Sequence, residues 1–315
     1  MKPYLRSSLS ALILLGGCAA VGPDYAPPSA SAPASFGAMP AGIDGGGVEI
    51  EWWRGFDEPD LESLIQRALA ANLDIALAGA RLDEAKALLR ENREEFLPRG
   101  GPAFDYQARR RGEVETPAGQ QRDIETYRGA LDASWEIDLF GRLGRLSDAA
   151  LARAEAADAD LRLVRLSIAA DTARAYFEIQ GYQRRLDVAR AQVRSWRDTL
   201  ELTRSSLQLG SGLPEDVENA QANLLRSEAA IPPLTTALES ARYRLDVLRG
   251  GAPGSGAPIL DGGAAAPLAK NLPLGDVDRL ILQRPDVVSA ERQLAASTED
   301  VGAATAELYP RLDLG

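Results

Sequence analysis

The sequence contains no histidine and a single cysteine, Cys18. The chain therefore lacks internal disulfide bonds, zinc clusters and the usual Ser-His and Cys-His nucleophile pairs. It also lacks the repeated long apolar runs of a polytopic helical membrane protein. Its formal net charge of −11 gives no support for binding nucleic acid through the phosphate backbone. What the 315 residues do contain is 45% apolar side chains, enough for a sizeable core, with 26% charged side chains for a water-exposed exterior.

The N-terminal stretch has the pattern of an exported protein. Two basic residues precede a short apolar run over residues 9–15, which predicts a signal peptide over residues 1–17 and not a spanning helix. The motif "LGGC" ending at Cys18 resembles a bacterial lipobox, which implies cleavage before that residue, its acylation and delivery to the outer membrane. An ordinary signal peptide that happens to contain a cysteine is the alternative. Residues 18–59 are rich in Pro, Ala, Ser and Gly and predict an extended tether.

Helical periodicity dominates the chain after the tether. A first helix is predicted over residues 60–98, with Pro98 as its terminator. From residue 141 to about 209, apolar side chains follow a heptad seam, which predicts one helix of ~100 Å at ~1.5 Å per residue. A globular domain of this size has no need for such a rod.

A turn is predicted after the long helix, because Gly210 and Gly212 are followed by Pro214. The return helix ends near residue 249 with a kink at Pro232-Pro233, so residues 141–250 are expected to form a helical hairpin. The remaining ranges are a Gly-, Pro- and Ala-rich connector over 251–273, then a helix from about 275 to 308 within residues 274–315.

Between Pro98 and Gly141 the apolar residues alternate, which predicts strands. We expect a hairpin over residues 99–140 with one apolar and one charged face. Such strands are typical of a transmembrane β-barrel, and a hairpin packed on a soluble core is the alternative. The expected lipid-facing residues are Phe104, Tyr106, Tyr127, Leu131, Trp135 and Ile137. The expected lumen-facing residues are Asp132, Glu136 and Asp138.

The chain also contains an internal repeat. A shift of 212 residues places Leu82 on Leu294 and Pro98 on Pro310. Both copies are predicted to be helices that end at a proline and enter a strand. The first copy continues into the hairpin and the long helix. The second reaches Gly315 at its first strand, so we expect the sequence to hold one repeat and the start of another.

Several short motifs follow one another in a fixed order: "VGPDY" after the lipobox, then "SWEIDLFGR", "LGSGLPEDVENAQ" and "VGAATAELYPRLDL". Together they resemble the lipoprotein branch of the TolC-like outer-membrane efflux channels over essentially the whole chain. The resemblance implies a mainly α fold with a small β part. Long antiparallel coiled-coil helices would form a periplasmic α-barrel, and the β-hairpin would contribute to a trimeric outer-membrane β-barrel.

The resemblance further implies a homotrimeric, passive conduit that exports drugs, toxic compounds or metals from the periplasm. It would be lipid-anchored in the outer membrane and would dock with a periplasmic adaptor protein and an inner-membrane RND transporter. No catalytic residue, cofactor, metal site or nucleic-acid partner is expected. The implied adaptor-docking tip comprises Leu209, Gly210, Ser211, Gly212, Leu213, Pro214, Glu215 and Asp216. Glu215 departs from the family, which usually has an apolar residue there, and the second half of the family pattern is absent.

Three alternatives remain open. A secreted acidic enzyme could use Asp132, Glu136 and Asp138, although a solvated lumen face explains these carboxylates more simply. A lipoprotein with a structural or interaction role would need no pore, and an outer-membrane conduit of a type I secretion system would share the fold. Three copies of this chain supply too few complete strands for a closed barrel, so we expect the chain by itself not to form the working channel.

Overall fold

The computed structural model describes residues 20–28, 43–44, 51–112, 114–115, 117–256, 272–273 and 281–315. The predicted signal peptide, Cys18 and most of the predicted tether lie outside the described residues. Helices dominate and a small antiparallel sheet accompanies them, which confirms the predicted mainly α fold with a small β part. In chain order the elements are β1 (Ile43–Asp44), a 3₁₀-helix (Trp52–Phe56), α1 (Pro59–Ala71), α2 (Leu73–Glu94), β2 (Arg99–Arg110), β3 (Asp123–Ile137), α3 (Arg142–Gln208), α4 (Pro214–Ala229), α5 (Ile231–Leu248), β4 (Leu272–Pro273), α6 (Pro285–Ala306) and β5 (Leu312–Leu314).

The chain divides into two compact units, each assembled from separate stretches of sequence. The first unit contains Met1–Ser29, Arg81–Ala159 and Asp286–Gly315. It holds the strands β2, β3 and β5, most of α2 and α6, and the start of α3. The second unit contains Ala30–Ala80 and Asp160–Pro285, and holds α1, α4, α5 and the rest of α3. The predicted ranges 60–98 and 141–250 are thus each shared between the two units.

Helix α3 is one continuous helix of 67 residues, as the heptad seam predicts. At its start, the Asp138 carboxylate accepts a hydrogen bond from the amide of Gly144 at 2.9 Å, and so satisfies one of the free donors of the first turn. At its end, Gly210 adopts φ +74°, a left-handed conformation that glycine reaches without strain. Both bounds fall within one residue of the predicted ones.

The second unit has an apolar core around Tyr176, which is 2% exposed. The Tyr176 hydroxyl donates a hydrogen bond to Glu58 Oε2 at 2.9 Å. Burial, followed by this bond to a carboxylate, raises the pKa of Tyr176. The core packs the α1 side chains against α3 and α5, and its members include Trp53, Leu61, Leu64, Ile65, Ala68, Ile168, Ile179, Leu238 and Leu245.

The structure corrects the prediction of one helix over residues 60–98, because α1 and α2 are separate helices that meet at Asn72. Asn72 is buried, and its side-chain oxygen accepts hydrogen bonds from the amides of Asp74, at 2.8 Å, and Ile75, at 3.2 Å. Its side-chain nitrogen donates to the carbonyl of Leu248 at 3.0 Å. Asn72 therefore caps α2 and ties it to the end of α5.

The other helix boundaries follow the prolines. The return helix divides at Ala230, and Pro232 lies in the first turn of α5, where a missing amide hydrogen costs nothing. The last helix is shorter than the predicted range of 275–308. Helix α6 begins at Pro285, after a break at Arg284, and residues 274–280 lie outside the described residues.

The internal repeat is confirmed by the helix bounds. Helices α2 and α6 each have 22 residues, and an offset of 212 carries Leu73 onto Pro285 and Glu94 onto Ala306. Each helix leads into a strand, β2 or β5. Both strands pair antiparallel with β3, in the sheet order β2-β3-β5.

Candidate functional site

The register between β2 and β3 places the residues predicted for the apolar face on the same side of the sheet. Tyr106 lies opposite Tyr127, with ring centroids 4.9 Å apart, and Pro102 lies opposite Leu131. Directly opposed residues of an antiparallel pair point to one face, so these side chains share a face with Phe104. Phe104 is 75% exposed and Leu131 is 87% exposed, and therefore no described part of the chain covers the middle of this face.

Strand β5 extends the apolar face. Trp135 lies opposite Leu314, and Ile137 lies opposite Leu312. The Trp135 indole nitrogen also donates a hydrogen bond to the carbonyl of Phe96 at 3.0 Å, which joins the sheet to the end of α2. The six residues predicted for this face thus lie on one side of the sheet.

The residues predicted for the charged face of the sheet differ in their exposure and in their hydrogen bonds. Asp132 is exposed and lies opposite Gly101, in a row that also pairs Asp105 with Arg128. Glu136 instead accepts two hydrogen bonds from Arg142, at 2.6 and 3.0 Å, and both side chains are less than one-fifth exposed. This bidentate bond raises the pKa of Arg142. Since Asp138 caps α3, Glu136 and Asp138 fasten the strand to the helix.

The N-terminal residues 20–28 form a contact region that the sequence does not predict. They contain no helix or strand, and they pack against other parts of the first unit. The amide of Val21 donates to the carbonyl of Phe140 at 3.1 Å, and Gly22 lies so close to Gly302 that a Cβ on Gly22 would be 2.6 Å from the Gly302 Cα. We call residues 20–28 the strap.

Arg145 is the centre of the strap contacts. Its side chain is 8% exposed, and its guanidinium donates to Asp24 at 2.8 Å and to Glu299 at 2.7 Å. The two carboxylates come from the strap and from α6, so one arginine of α3 holds both segments. Hydrogen bonds to Glu299 and then to Asp24 raise the pKa of Arg145.

A second polar cluster joins the strap to α6. The Tyr25 hydroxyl donates to the Glu291 carboxylate, and the Arg292 guanidinium lies 5.9 Å from the centre of the Tyr25 ring. Arg292 also pairs with Glu155 of α3 at 3.1 Å. Hydrogen bonding by Arg292 holds the pKa of Glu291 below its ordinary value, although burial acts in the opposite direction.

The predicted tip is a tight turn between α3 and α4. The amides of Ser211 and Gly212 both donate to the carbonyl of Ser206, at 3.0 and 3.1 Å. A Cβ on Gly212 would lie 2.9 Å from the Leu207 amide nitrogen, so the turn needs glycine there. Two large apolar side chains are left in solvent on this turn, Leu209 at 84% exposure and Leu213 at 64%. Pro214, Glu215 and Asp216, all exposed, form the first turn of α4.

Among the described residues, no helix is both long enough and apolar enough to cross a bilayer. Among the same residues, no group of three or more histidine, cysteine or acidic side chains could hold a metal ion.

Comparison with known proteins places the chain in a family. Residues 64–251 match the family model described as "Outer membrane efflux protein", which covers more than half of the sequence. The chain belongs to the outer membrane efflux protein family. The match includes α2, the sheet strands β2 and β3, the whole of α3 and the tip, which are the elements that carry the candidate surfaces.

Several members of this family are similar over nearly the whole chain. Nodulation protein T of Rhizobium leguminosarum bv. trifolii is 32% identical over 303 residues, covering 96% of this chain and 64% of that protein. The toluene efflux pump outer membrane protein TtgF of Pseudomonas putida is 30% identical over 323 residues, covering 99% of this chain and 66% of that protein. The chain therefore spans about two thirds of the length of the curated relatives it matches.

Solved structures agree with this assignment. The outer-membrane channel OprN is similar with a TM-score of 0.83 and 34% sequence identity, covering 93% of this chain and 66% of that one. The predicted resemblance to TolC-like efflux channels is thus confirmed at the level of family and fold.

Proposed function

We propose that the chain is an outer-membrane channel subunit of a tripartite efflux system and acts as a passive conduit for drugs or other toxic compounds. It works as a homotrimer with a periplasmic adaptor and an inner-membrane RND transporter, and is anchored through acylated Cys18. Family membership and the name of the toluene pump relative support this assignment.

The observation that carries the proposal is the exposed apolar face of β2 and β3. A soluble protein rarely leaves a row such as Phe104, Tyr127 and Leu131 in water, because burying each large apolar side chain is worth roughly 1.5–3 kcal/mol. A lipid bilayer covers such a face in a barrel, with the opposite face turned to a polar lumen. In this arrangement Asp132 and its row line the lumen.

The two ends of α3 take different roles in the proposed channel. The junction with β3, where Glu136 and Asp138 are engaged, lies at the membrane surface, and the rings of Phe140 and Tyr309 stack there at 4.7 Å. Aromatic girdles of this kind mark the lipid interface of barrels. The tip over 209–216 is the docking surface for the adaptor, through exposed Leu209 and Leu213.

The experiment is deletion of the gene in the bacterium that carries it, with the protein purified from outer membranes for comparison. Deletion is expected to raise sensitivity to toxic compounds, and the protein that the bacterium itself makes, purified from its outer membranes, is expected to be a trimer that conducts ions in planar bilayers. Mass spectrometry of its mature N terminus tests the acylation of Cys18. A membrane-bound protein without conductance or an efflux phenotype would favour a structural lipoprotein and contradict the channel.

A further inference from the structure

The charges on the Asp132 face of the sheet are ordered along the strands. Residues directly opposite each other in the β2–β3 pairing point to one face, so the register assigns each side chain to a face. Asp132 is the charge nearer to α3. Farther along the same face, Asp105 lies opposite Arg128, and Arg109 follows near the hairpin turn. This face therefore changes from acidic to basic along the hairpin.

Arg111 extends the basic end of this face by one position. Its amide donates a hydrogen bond to the carbonyl of Arg122 at 2.8 Å, and the Arg122 side chain donates to the carbonyl of Arg111 at 3.3 Å. The pairing thus continues one step beyond the strands, and the alternation of β2 places Arg111 on the face of Arg109. We call Arg109 and Arg111 the cationic row.

The cationic row has no counter-ion among the described residues. Its first member is exposed and its second is half-buried, and no ion pair in that part of the chain involves either guanidinium. The carboxylates of β3 at this end, Asp123 and Glu125, alternate onto the opposite face. There Asp123 pairs with Arg110 at 3.6 Å, and Glu125 accepts a hydrogen bond from Tyr127 at 3.1 Å. Opposite charges at this end are thus separated between the two faces.

The row lies at the end of the hairpin away from the helices. Helix α2 leads into β2 at Arg99, and α3 follows β3 after Ile137, so both helices join the other end of the sheet. In the proposed channel the helices are periplasmic, and the cationic row is then at the outer mouth of the lumen. Its two guanidinium-bearing residues are only about 6–7 Å apart along the strand at ~3.3 Å per residue, and an anion between them relieves their repulsion.

We propose that the cationic row binds anionic solutes, those bearing carboxylate, sulfonate or phosphate groups, and makes the outer mouth of the channel prefer anions. Rings of arginine select anions in pores, because fixed positive charge raises the local concentration of anions. The Asp132 end of the same face has the opposite preference. The anion site itself rests on the register and charges of the sheet, whereas its part in conduction rests on the proposed function.

The binding test uses the protein that the bacterium makes, purified from its outer membranes in detergent. Pyranine, a trisulfonated fluorescent dye, is the anionic probe, and its anisotropy is measured at ~10 mM salt, where charges are screened over about 30 Å. Saturable binding is expected. Arg109→Gln should weaken it at least about threefold, and the double variant Arg109→Gln, Arg111→Gln at least about tenfold. Arg110→Gln removes the same charge from the opposite face and should leave the affinity unchanged.

Planar bilayers test the part of the row in conduction. The ratio of anion to cation permeability, obtained from the reversal potential in a KCl gradient, should fall in the double variant and not in Arg110→Gln. An unchanged ratio in a conducting double variant would overturn the role in selectivity.

Two results of the dye titration would overturn the anion site. One is the absence of dye binding, and the other is an equal loss of affinity in Arg109→Gln and Arg110→Gln, which would place the anion on the face turned to lipid headgroups. Dye binding with the expected pattern of variants, in a protein that conducts no ions, would support the site and contradict the proposed channel.

Discussion

At its N-terminal end, helix α3 is joined to distant parts of the chain. Arg145 binds carboxylates from the strap and from α6, and Arg142 binds Glu136 of β3. At its C-terminal end, the turn is held by backbone hydrogen bonds to the carbonyl of Ser206, within the turn itself. The ion pair nearer that end, between Arg197 of α3 and Glu228 of α4, is exposed, with side-chain exposures of 61% and 42%.

This contrast separates a fixed end from an adaptable one. The ion pairs of Arg142 with Glu136 and of Arg145 with Glu299, in which every side chain is less than one-fifth exposed, have a defined geometry, since a displaced partner leaves a charge with little solvent and no counter-ion. An exposed turn with apolar side chains can adjust to a partner without breaking tertiary contacts. We therefore expect substitutions at the strand junction to change stability, and substitutions at the tip to change docking.

The largest effect is expected for Arg145→Met. This change leaves Glu299, whose side chain is 13% exposed, without its cation, and should lower the free energy of unfolding by about 3 kcal/mol. The matched variant Arg197→Met removes an exposed ion pair with Glu228 and should cost less than about 1 kcal/mol. Urea unfolding of the purified protein, followed by helical circular dichroism, measures both. Similar losses in the two variants would refute the contrast.

A smaller effect is expected for Gly302→Ala. The added Cβ would lie 2.9 Å from Arg145 Cδ, so the arginine or α6 must shift, at a cost of roughly 1–3 kcal/mol. Gly181→Ala is the control, because a Cβ there meets no atom within 4 Å and alanine favours a helix by up to about 1 kcal/mol. Thermal unfolding should shift downward in the first variant and not in the second. A stabilised Gly302→Ala protein would argue against tight packing under the strap.

The change of protein stability with pH tests the contribution of ionised Glu291 to that stability. Its folded pKa lies below its unfolded value, so ionised Glu291 adds stability above the unfolded pKa, and this stability is lost as the pH falls through the folded pKa. Glu291→Gln should flatten the acid limb of an unfolding curve measured from pH 7 to pH 3. Glu218→Gln removes an exposed carboxylate of α4 and is the charge-matched control. An unchanged acid limb in Glu291→Gln would count against the Tyr25–Glu291–Arg292 cluster.

The smallest effect on stability is expected at the tip. Leu213→Glu replaces an exposed side chain and should change the free energy of unfolding by less than about 0.5 kcal/mol. It should nevertheless reduce pump-dependent drug resistance, since an apolar docking contact becomes charged. Leu202→Glu, also exposed but outside the tip, should leave resistance unchanged. Equal drug resistance in the two variants would contradict a role of the tip in adaptor docking.

The sequence predicts the periodic parts of this molecule well. The bounds of α3 follow from its heptad seam and from Gly210, and the shared faces of β2 and β3 follow from strict alternation. The repeat is detectable because helix length and spacing are preserved between α2 and α6. In each case the signal is local or repeats along the chain.

The missed features depend on contacts between residues far apart in sequence. Asn72 looks like one polar residue within a helical pattern, and its role depends on the carbonyl of Leu248. The strap has no period, and its charged partner Arg145 reaches Glu299 across 154 residues. The motif "VGPDY" is the available signal, because an acidic residue followed directly by an aromatic residue is unusual in a loose linker.

The most direct test of the channel is the conductance, in planar bilayers, of the protein that the bacterium makes, purified from its outer membranes and compared between two neighbouring substitutions. Leu131→Lys places a charge on the apolar face, at a cost of about 2–4 kcal/mol near the bilayer midplane, and should prevent insertion. Asp132→Lys lies on the opposite face and should insert normally, with reduced preference for cations. Conductance in the wild type and Asp132→Lys, with none in Leu131→Lys, is the predicted result. Normal insertion of Leu131→Lys, or a wild-type protein from the bacterium's outer membrane that conducts no ions, would contradict the account.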